Sequence, residues 1–148
     1  MNYHIQQITT KETYTVRHPI LRSGKPISSC NFEGDDLETT HHFGLFINSK
    51  LVGVATFMKN NLELLHFNNQ YQLRGMAILN EFQGKKLGNY LVKYGEDFLK
   101  NERIEVIWCN AREIAVNFYQ RNGFYIIGNA FIIPEIGLHY RMYKLCES

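Results

Sequence analysis

The run Gln83-Gly84-Lys85-Lys86-Leu87-Gly88-Asn89 carries the clearest chemical signal in the chain. It follows an apolar stretch, Ala77-Ile78-Leu79, and a short polar turn, and it leads into sequence of helical period. A helix start leaves backbone N–H groups unpaired, and its dipole favours negative charge there. Gly84 and Gly88 let a ligand approach the backbone closely, and Lys85 and Lys86 add positive charge. A diphosphate suits such a site. Two familiar phosphate loops are excluded. No Gly-Lys-Ser/Thr completes a P-loop, and no Gly-x-Gly-x-x-Gly dinucleotide fingerprint occurs.

The remaining chemistry-bearing residues are sparser. His41 and His42 are adjacent, so on a strand they point to opposite faces and do not share a metal ion. Cys30, Cys109 and Cys146 are odd in number and lack metal-ligand spacing, so no metal is expected. Cys109 lies in an apolar run and reads as a buried thiol without a base. That cysteine usage points to a reducing cytoplasm. Glu33, Asp35, Asp36 and Glu38 form an acidic loop that would draw a cationic amine. A formal charge of +2 gives no extended basic field, so nucleic acid is not an expected partner. Neither a membrane span nor an apolar leader is read in the chain.

The elements that must hold these residues follow from periodicity. At 148 residues the chain is read as a single domain, 1–148. Strands are expected over Tyr3 to Ile8, His42 to Ile47, Leu51 to Met58, Tyr71 to Leu79, Ile104 to Cys109, Phe124 to Ile133 and Leu138 to Leu145. Asn48-Ser49-Lys50 reads as a hairpin turn, and Leu62 to Phe67 is ambiguous. Thr10 is expected to cap a helix over Lys11 to Leu21, and Arg22 to Glu38 reads as mostly loop. A second helix spans Gly84 to Lys100, with Lys86 in its first turn and Leu87, Leu91, Tyr94 and Phe98 on its buried face. A third spans Glu113 to Arg121, stopped by Asn122-Gly123. The resulting order is β-α-loop-β-β-β-α-β-α-β-β, a mixed α/β sheet.

The phosphate-loop candidate resembles the pyrophosphate loop of the GNAT superfamily of N-acetyltransferases, Gln/Arg-x-x-Gly-x-Gly/Ala. Gln83 and Gly88 match its first and last positions, and Lys86 stands where the middle glycine is usual. Downstream, Ala115-Val116-Asn117-Phe118-Tyr119-Gln120-Arg121-Asn122-Gly123-Phe124 resembles the superfamily's Ala-x-x-x-Tyr-x-x-x-Gly-Phe segment. The resemblance covers about Leu51 to Leu145, with weaker support for the N-terminal helix and loop. Trp108 to Arg112 and Ile133 to Met142 look like a bacterial-type branch similar to the ElaA-like proteins.

The resemblance implies a fold of six to seven mostly antiparallel strands flanked by about four helices, with acetyl-CoA as donor and an amine, on a small molecule or a protein, as acceptor. Met76, Ala77 and Ile78 would pair with the pantetheine arm, and an N–H there, that of Ile78, would polarise the thioester carbonyl. The amides of Gly84, Lys85, Lys86, Leu87, Gly88 and Asn89 would hold the pyrophosphate, with Lys85 or Lys86 on phosphate. Asn117 and Asn110 are candidate pantetheine partners. Tyr119 occupies the position used as general acid toward the leaving thiolate. Some relatives carry a glutamate base on the strand before the loop; here that strand offers Gln72 and Arg74. His42, His139, Glu33, Asp36 and Glu135 remain candidates for accepting a proton, directly or through water. Homodimers are frequent in the superfamily. The alternative reading is a noncatalytic acyl-CoA-binding or regulatory domain of the same fold.

Overall fold

A computed structural model describes residues 2–146. Its contacts divide the chain into two compact units, one of residues 2–58 and 73–98, the other of residues 59–72 and 99–146. The chain passes from one to the other three times, so neither is a contiguous stretch.

The first unit holds β1 (His4–Gln7), α1 (Thr10–Leu21), β2 (His41–Ile47), most of β3 (Lys50–Lys59), the later part of β4 (Gln70–Ile78) and α2 (Leu87–Leu99) up to residue 98. The strands lie in the order β1-β2-β3-β4. β1 runs antiparallel to β2 from His4↔Phe46 to Gln7↔Phe43, and β2 antiparallel to β3. The hairpin turn is two residues, Asn48 and Ser49, at φ 49° and 69°. Both being left-handed is the type I′ pattern, whose twist matches the strands. Lys50, expected in the turn, already pairs with Ile47.

Helix α1 begins one residue earlier than expected. Thr9, not Thr10, is the cap: its side chain accepts from the Glu12 N–H at 3.2 Å, and Glu12 returns a bond to the Thr9 N–H at 2.9 Å. This reciprocal box satisfies two otherwise orphaned donors. Val16, Val54 and Ala77 form the centre of the unit's core, covered by Ile8, Ile20, Leu21, Leu51 and Leu79. A second cluster sets Phe43 edge-on to Phe57, Tyr94 and Phe98 at 5.1–5.8 Å between ring centres. Helix α2 sits close to this cluster at Gly95, where a methyl group would lie 2.1 Å from the Phe57 ring. Of its expected buried face, Leu87 and Leu91 are buried, whereas Tyr94 is 37% exposed.

The second unit holds the start of β4, β5 (Val106–Arg112), α3 (Val116–Arg121), β6 (Tyr125–Ile126), β7 (Phe131–Ile133) and β8 (Gly137–Leu145). β4 pairs parallel with β5 over Gln70–Gln72, and β8 runs antiparallel to β5 from Val106↔Leu145 to Arg112↔His139. β6 and β7 both pair with β8. The expected single strand from Phe124 to Ile133 is broken around Gly128, which stands at φ 76°. That break gives eight strands among the described residues, one more than the seven listed from the sequence, and three α-helices where about four were expected. The ambiguous Leu62 to Phe67 stretch holds a 3-10 turn at Glu63–Leu65. Leu65, Val106 and Trp108 centre this unit's core, and Trp108 Nε1 donates to the Asn60 carbonyl at 2.8 Å. The class is mixed α/β with a mostly antiparallel sheet, as read from the sequence.

Candidate functional site

The anion loop lies in the first unit. After β4 the chain makes a 3-10 turn at Asn80–Phe82, and Gln83 folds back so that its Nε2 donates to the Ile78 carbonyl at 2.9 Å and to Asn80 Oδ1 at 3.2 Å. Gly84 then takes φ 79° and Lys86 φ 65°, and α2 starts at Leu87. The helix therefore begins three residues later than expected. Lys86 is not in a helical first turn; it stands in a left-handed conformation that costs an L-residue about 1–2 kcal/mol. The usual glycine at this position thus has a conformational reason, which Lys86 bears instead.

This path has a chemical consequence. The first backbone bond of α2 runs from the Tyr90 N–H to the Lys86 carbonyl. None of the six amides from Gly84 to Asn89 donates to an acceptor among the described residues. Unclaimed donors at the start of a 13-residue helix are groups that can receive an anion. Lys85 and Lys86 are both exposed, and the Lys85 ammonium lies 5.5 Å from the Phe82 ring centre. At the end of β4 the Leu79 N–H donates to the Val52 carbonyl of β3 at 2.8 Å. Donors alternate along a strand, so the Ile78 N–H points away from β3.

The same unit contains a closed polar network behind the acidic loop. Arg17, fully buried, grips Asp35 through Nη1 at 2.6 Å and Nη2 at 3.2 Å. Its Nη1 also donates to the Cys30 carbonyl at 2.8 Å, and its Nη2 to Thr56 Oγ1 at 2.9 Å. Thr56 Oγ1 lies 2.7 Å from His42 Nδ1, and His42 Nε2 lies 2.9 Å from the Asp35 carbonyl. A carbonyl only accepts, so Nε2 carries the proton and Nδ1 accepts from Thr56. Burial, opposed by the bond to Asp35, lowers the His42 pKa from its ordinary value. Both nitrogens of this candidate base are therefore occupied. Asp35, expected to help attract an amine, is 3% exposed and ion-paired, so it faces inward. Glu33, Asp36 and Glu38 are exposed, and Asp36 accepts from Thr10 Oγ1 at 2.7 Å. His41 and His42 do point to opposite faces: His41 packs against Phe98 at 4.9 Å while His42 meets Thr56.

In the second unit, Tyr119 is 7% exposed and packs its ring against Phe118 and Phe124 at 5.1 and 5.5 Å. Burial raises its pKa well above the usual tyrosine value, so the hydroxyl keeps its proton at neutral pH. The helix ends as expected, with Gly123 at φ 90°. Burial likewise raises the Cys109 thiol, which fits an inert core group. Asn117 is exposed. Asn110 and Arg141 are register partners on β5 and β8, and both Asn110 Oδ1 and Arg141 Nε are buried without a hydrogen bond among the described residues. The Arg141 guanidinium lies 4.9 Å from the Phe131 ring centre. Two register steps away, His139 faces Arg112, and its Nδ1 lies 2.8 Å from the Gly137 carbonyl. That bond puts the proton on Nδ1 and leaves Nε2 as the basic nitrogen. Glu135 is exposed in the turn before β8. Sequence reasoning assigned no role to Arg141; only the β5–β8 register reveals its position opposite Asn110.

Comparison with known proteins agrees with this geometry. The model of the acetyltransferase (GNAT) family matches residues 4–124. The Bacillus subtilis protein YitI, itself described as an uncharacterised N-acetyltransferase, is 36% identical over 97% of both chains. Among solved structures, an aminoglycoside 6′-N-acetyltransferase complexed with coenzyme A superposes with a TM-score of 0.78 over 98% of both chains at 12% identity. Escherichia coli ElaA gives 0.73 over 97% of this chain and 99% of its own, at 17% identity. At such identities these structural matches speak for the fold, and the family match with the YitI relationship speaks for descent. A chain with this loop, this tyrosine helix and this sheet belongs to the GNAT family of acetyltransferases.

Proposed function

We propose that the whole chain acts as one N-acetyltransferase domain, moving an acetyl group from acetyl-CoA to an amine by direct attack. The observation that carries this reading is the row of unclaimed amides from Gly84 to Asn89, the donor set a pyrophosphate requires. Lys85 and Lys86 add charge for the phosphates, and Gln83 braces the loop against Ile78. Met76 to Ile78 offer a strand edge to the pantetheine arm, and the Ile78 N–H, directed away from β3, serves to polarise the thioester carbonyl. Asn110, with its unpartnered oxygen, is suited to accept from a pantetheine amide, and Asn117 is a second candidate. Tyr119 holds its proton and is assigned to donate it to the leaving thiolate, a transfer that its burial-raised pKa makes harder than for a free tyrosine. Of the two histidines, His139 has the open nitrogen and takes the base role; His42 holds the loop in place. The reducing cytoplasm, where acetyl-CoA is available, is the setting we assign.

The test is thiol release. Purified protein with acetyl-CoA and a panel of amines is expected to release coenzyme A only when an amine is present. Tyr119→Phe is expected to slow it about 10- to 100-fold, since a thiolate needs an acid less than an alkoxide does. Tight acetyl-CoA binding with no turnover on any amine would favour the noncatalytic reading. Absence of both turnover and thermal stabilisation by acetyl-CoA would defeat both.

A further inference from the structure

Three guanidinium groups converge on a single ring in the first unit. The Arg17, Arg22 and Arg74 carbons lie 4.0, 4.7 and 5.3 Å from the centre of Phe32. The three come from α1, the residue after it, and β4, so the fold assembles the cluster. Their states differ. Arg17 is fully buried and neutralised by Asp35. Arg22 donates from Nη1 to the Leu21 carbonyl at 2.9 Å. Arg74 is half-buried; its Nη1 donates to the Glu33 carbonyl at 3.1 Å and lies 3.8 Å from Met58 Sδ. Its Nε and Nη2 make no hydrogen bond among the described residues, and neither is among the buried unsatisfied atoms.

That Nε–Nη2 edge is a planar two-donor fork in partial contact with solvent. Such a fork matches a carboxylate bidentately, and its opposite side is held by the bond to the Glu33 carbonyl beside the Phe32 ring. Carboxylates stand nearby as well: Glu33 and Asp36 are exposed on the loop that carries Phe32, and both line a surface concavity of about 410 Å³ formed by residues 31–37. Arg74 does not line that concavity but is bonded to its loop through the Glu33 carbonyl, so both signs of charge stand side by side there. A plain polyamine would find Glu33 and Asp36 but would set a cation against Arg74. A molecule carrying both an ammonium and a carboxylate satisfies both signs.

We infer that the acceptor is an amine that also bears a free carboxylate, held through that group by Arg74. Arg74 is then a specificity-determining residue, and the Phe32 ring with the Glu33 carbonyl keeps its guanidinium in place. The inference rests on the transferase reading above and names its substrate class.

The test uses α- and ω-amino acids, each paired with its own carboxamide, and spermidine as the carboxylate-free control. Turnover is measured with acetyl-CoA, and binding by thermal shift with and without coenzyme A. For at least one pair, the carboxylate member is expected to exceed its amide about 10- to 100-fold in kcat/KM, the effect of one charge-assisted bidentate contact. Arg74→Gln should erase that preference through KM, with kcat and acetyl-CoA affinity little changed; Arg74→Lys should restore part of it. Equal or greater turnover of amides or spermidine overturns the inference. So does a carboxylate preference that survives Arg74→Gln, or the failure of every carboxylate-bearing amine to react or stabilise while acetyl-CoA binds. A chain that ignored coenzyme A yet bound the carboxylate through Arg74 would instead defeat the transferase reading and leave the anion site standing.

Discussion

Replacing Lys86 by glycine separates two contributions that the loop combines. Lys86 sits at φ 65°, where an L-residue is strained by about 1–2 kcal/mol. Glycine removes that strain but widens the unfolded ensemble, which costs about 0.4–1 kcal/mol. The net is a gain of about 0–1.5 kcal/mol, or a melting temperature raised by up to roughly 5 °C for a chain of this size. The Lys86 side chain is exposed, so its ammonium contributes no more than about 1 kcal/mol to a bound phosphate, about fivefold in affinity. The six amides remain in place. The assay is a paired measurement of thermal unfolding and acetyl-CoA affinity, the latter at low and high salt. Lys86→Gly should be equally or more stable and bind at most about fivefold more weakly, with a shallower salt dependence. A loss of affinity above roughly fiftyfold would mean that the ammonium, not the backbone cradle, holds the ligand. A melting temperature lowered by more than about 4 °C would refute the strain argument.

Arg17→Leu leaves Asp35 buried without its partner and should destabilise the chain by about 3–5 kcal/mol in urea unfolding; adding Asp35→Asn should recover part of that. The His42 pKa is lowered from 6.5 in the fold, so as pH falls below about 6.5 the unfolded chain takes up a proton that the native chain refuses. Its stabilisation is complete above that pH and declines toward the lowered folded value; His42→Asn should flatten this component of melting temperature against pH, and an unchanged slope would count against it. Gly95→Ala places a methyl group 2.1 Å from the Phe57 ring and should cost about 1–3 kcal/mol, with a parallel loss of acetyl-CoA affinity because α2 carries the amide cradle. Stability lost without any change in affinity would show that the cradle tolerates a shift of its helix.

The parts legible in the sequence were those decided by neighbours in the chain. Asn48-Ser49 between two apolar runs announced the hairpin, and the tyrosine helix with its Gly123 stop was readable from spacing. The helix-start error was also local: Thr9 and Thr10 both qualify as caps, and only Glu12, three residues after Thr9, chooses between them. Lys86 was harder, because its left-handed backbone is dictated by the loop's path and not by lysine's own preference. The Arg17–Asp35 pair, the engagement of both His42 nitrogens and the Asn110–Arg141 register depend on residues brought together by tertiary packing. Charge pattern alone therefore counted Asp35 as a surface acid. Burial and a partner 18 positions away reversed its meaning.

The Arg17 guanidinium holds the polar loop at two points, the Cys30 carbonyl and the Asp35 carboxylate. Its grip is internal, so it is indifferent to the side chains the loop shows outward. Ser23, Lys25, Asn31 and Glu33 are all exposed, and exchanging them would redraw the loop's outer surface while the anchor stays put. Such a loop is evolvable in a specific sense. The anchor and the outward face are encoded by different residues, so selection can act on one without dismantling the other.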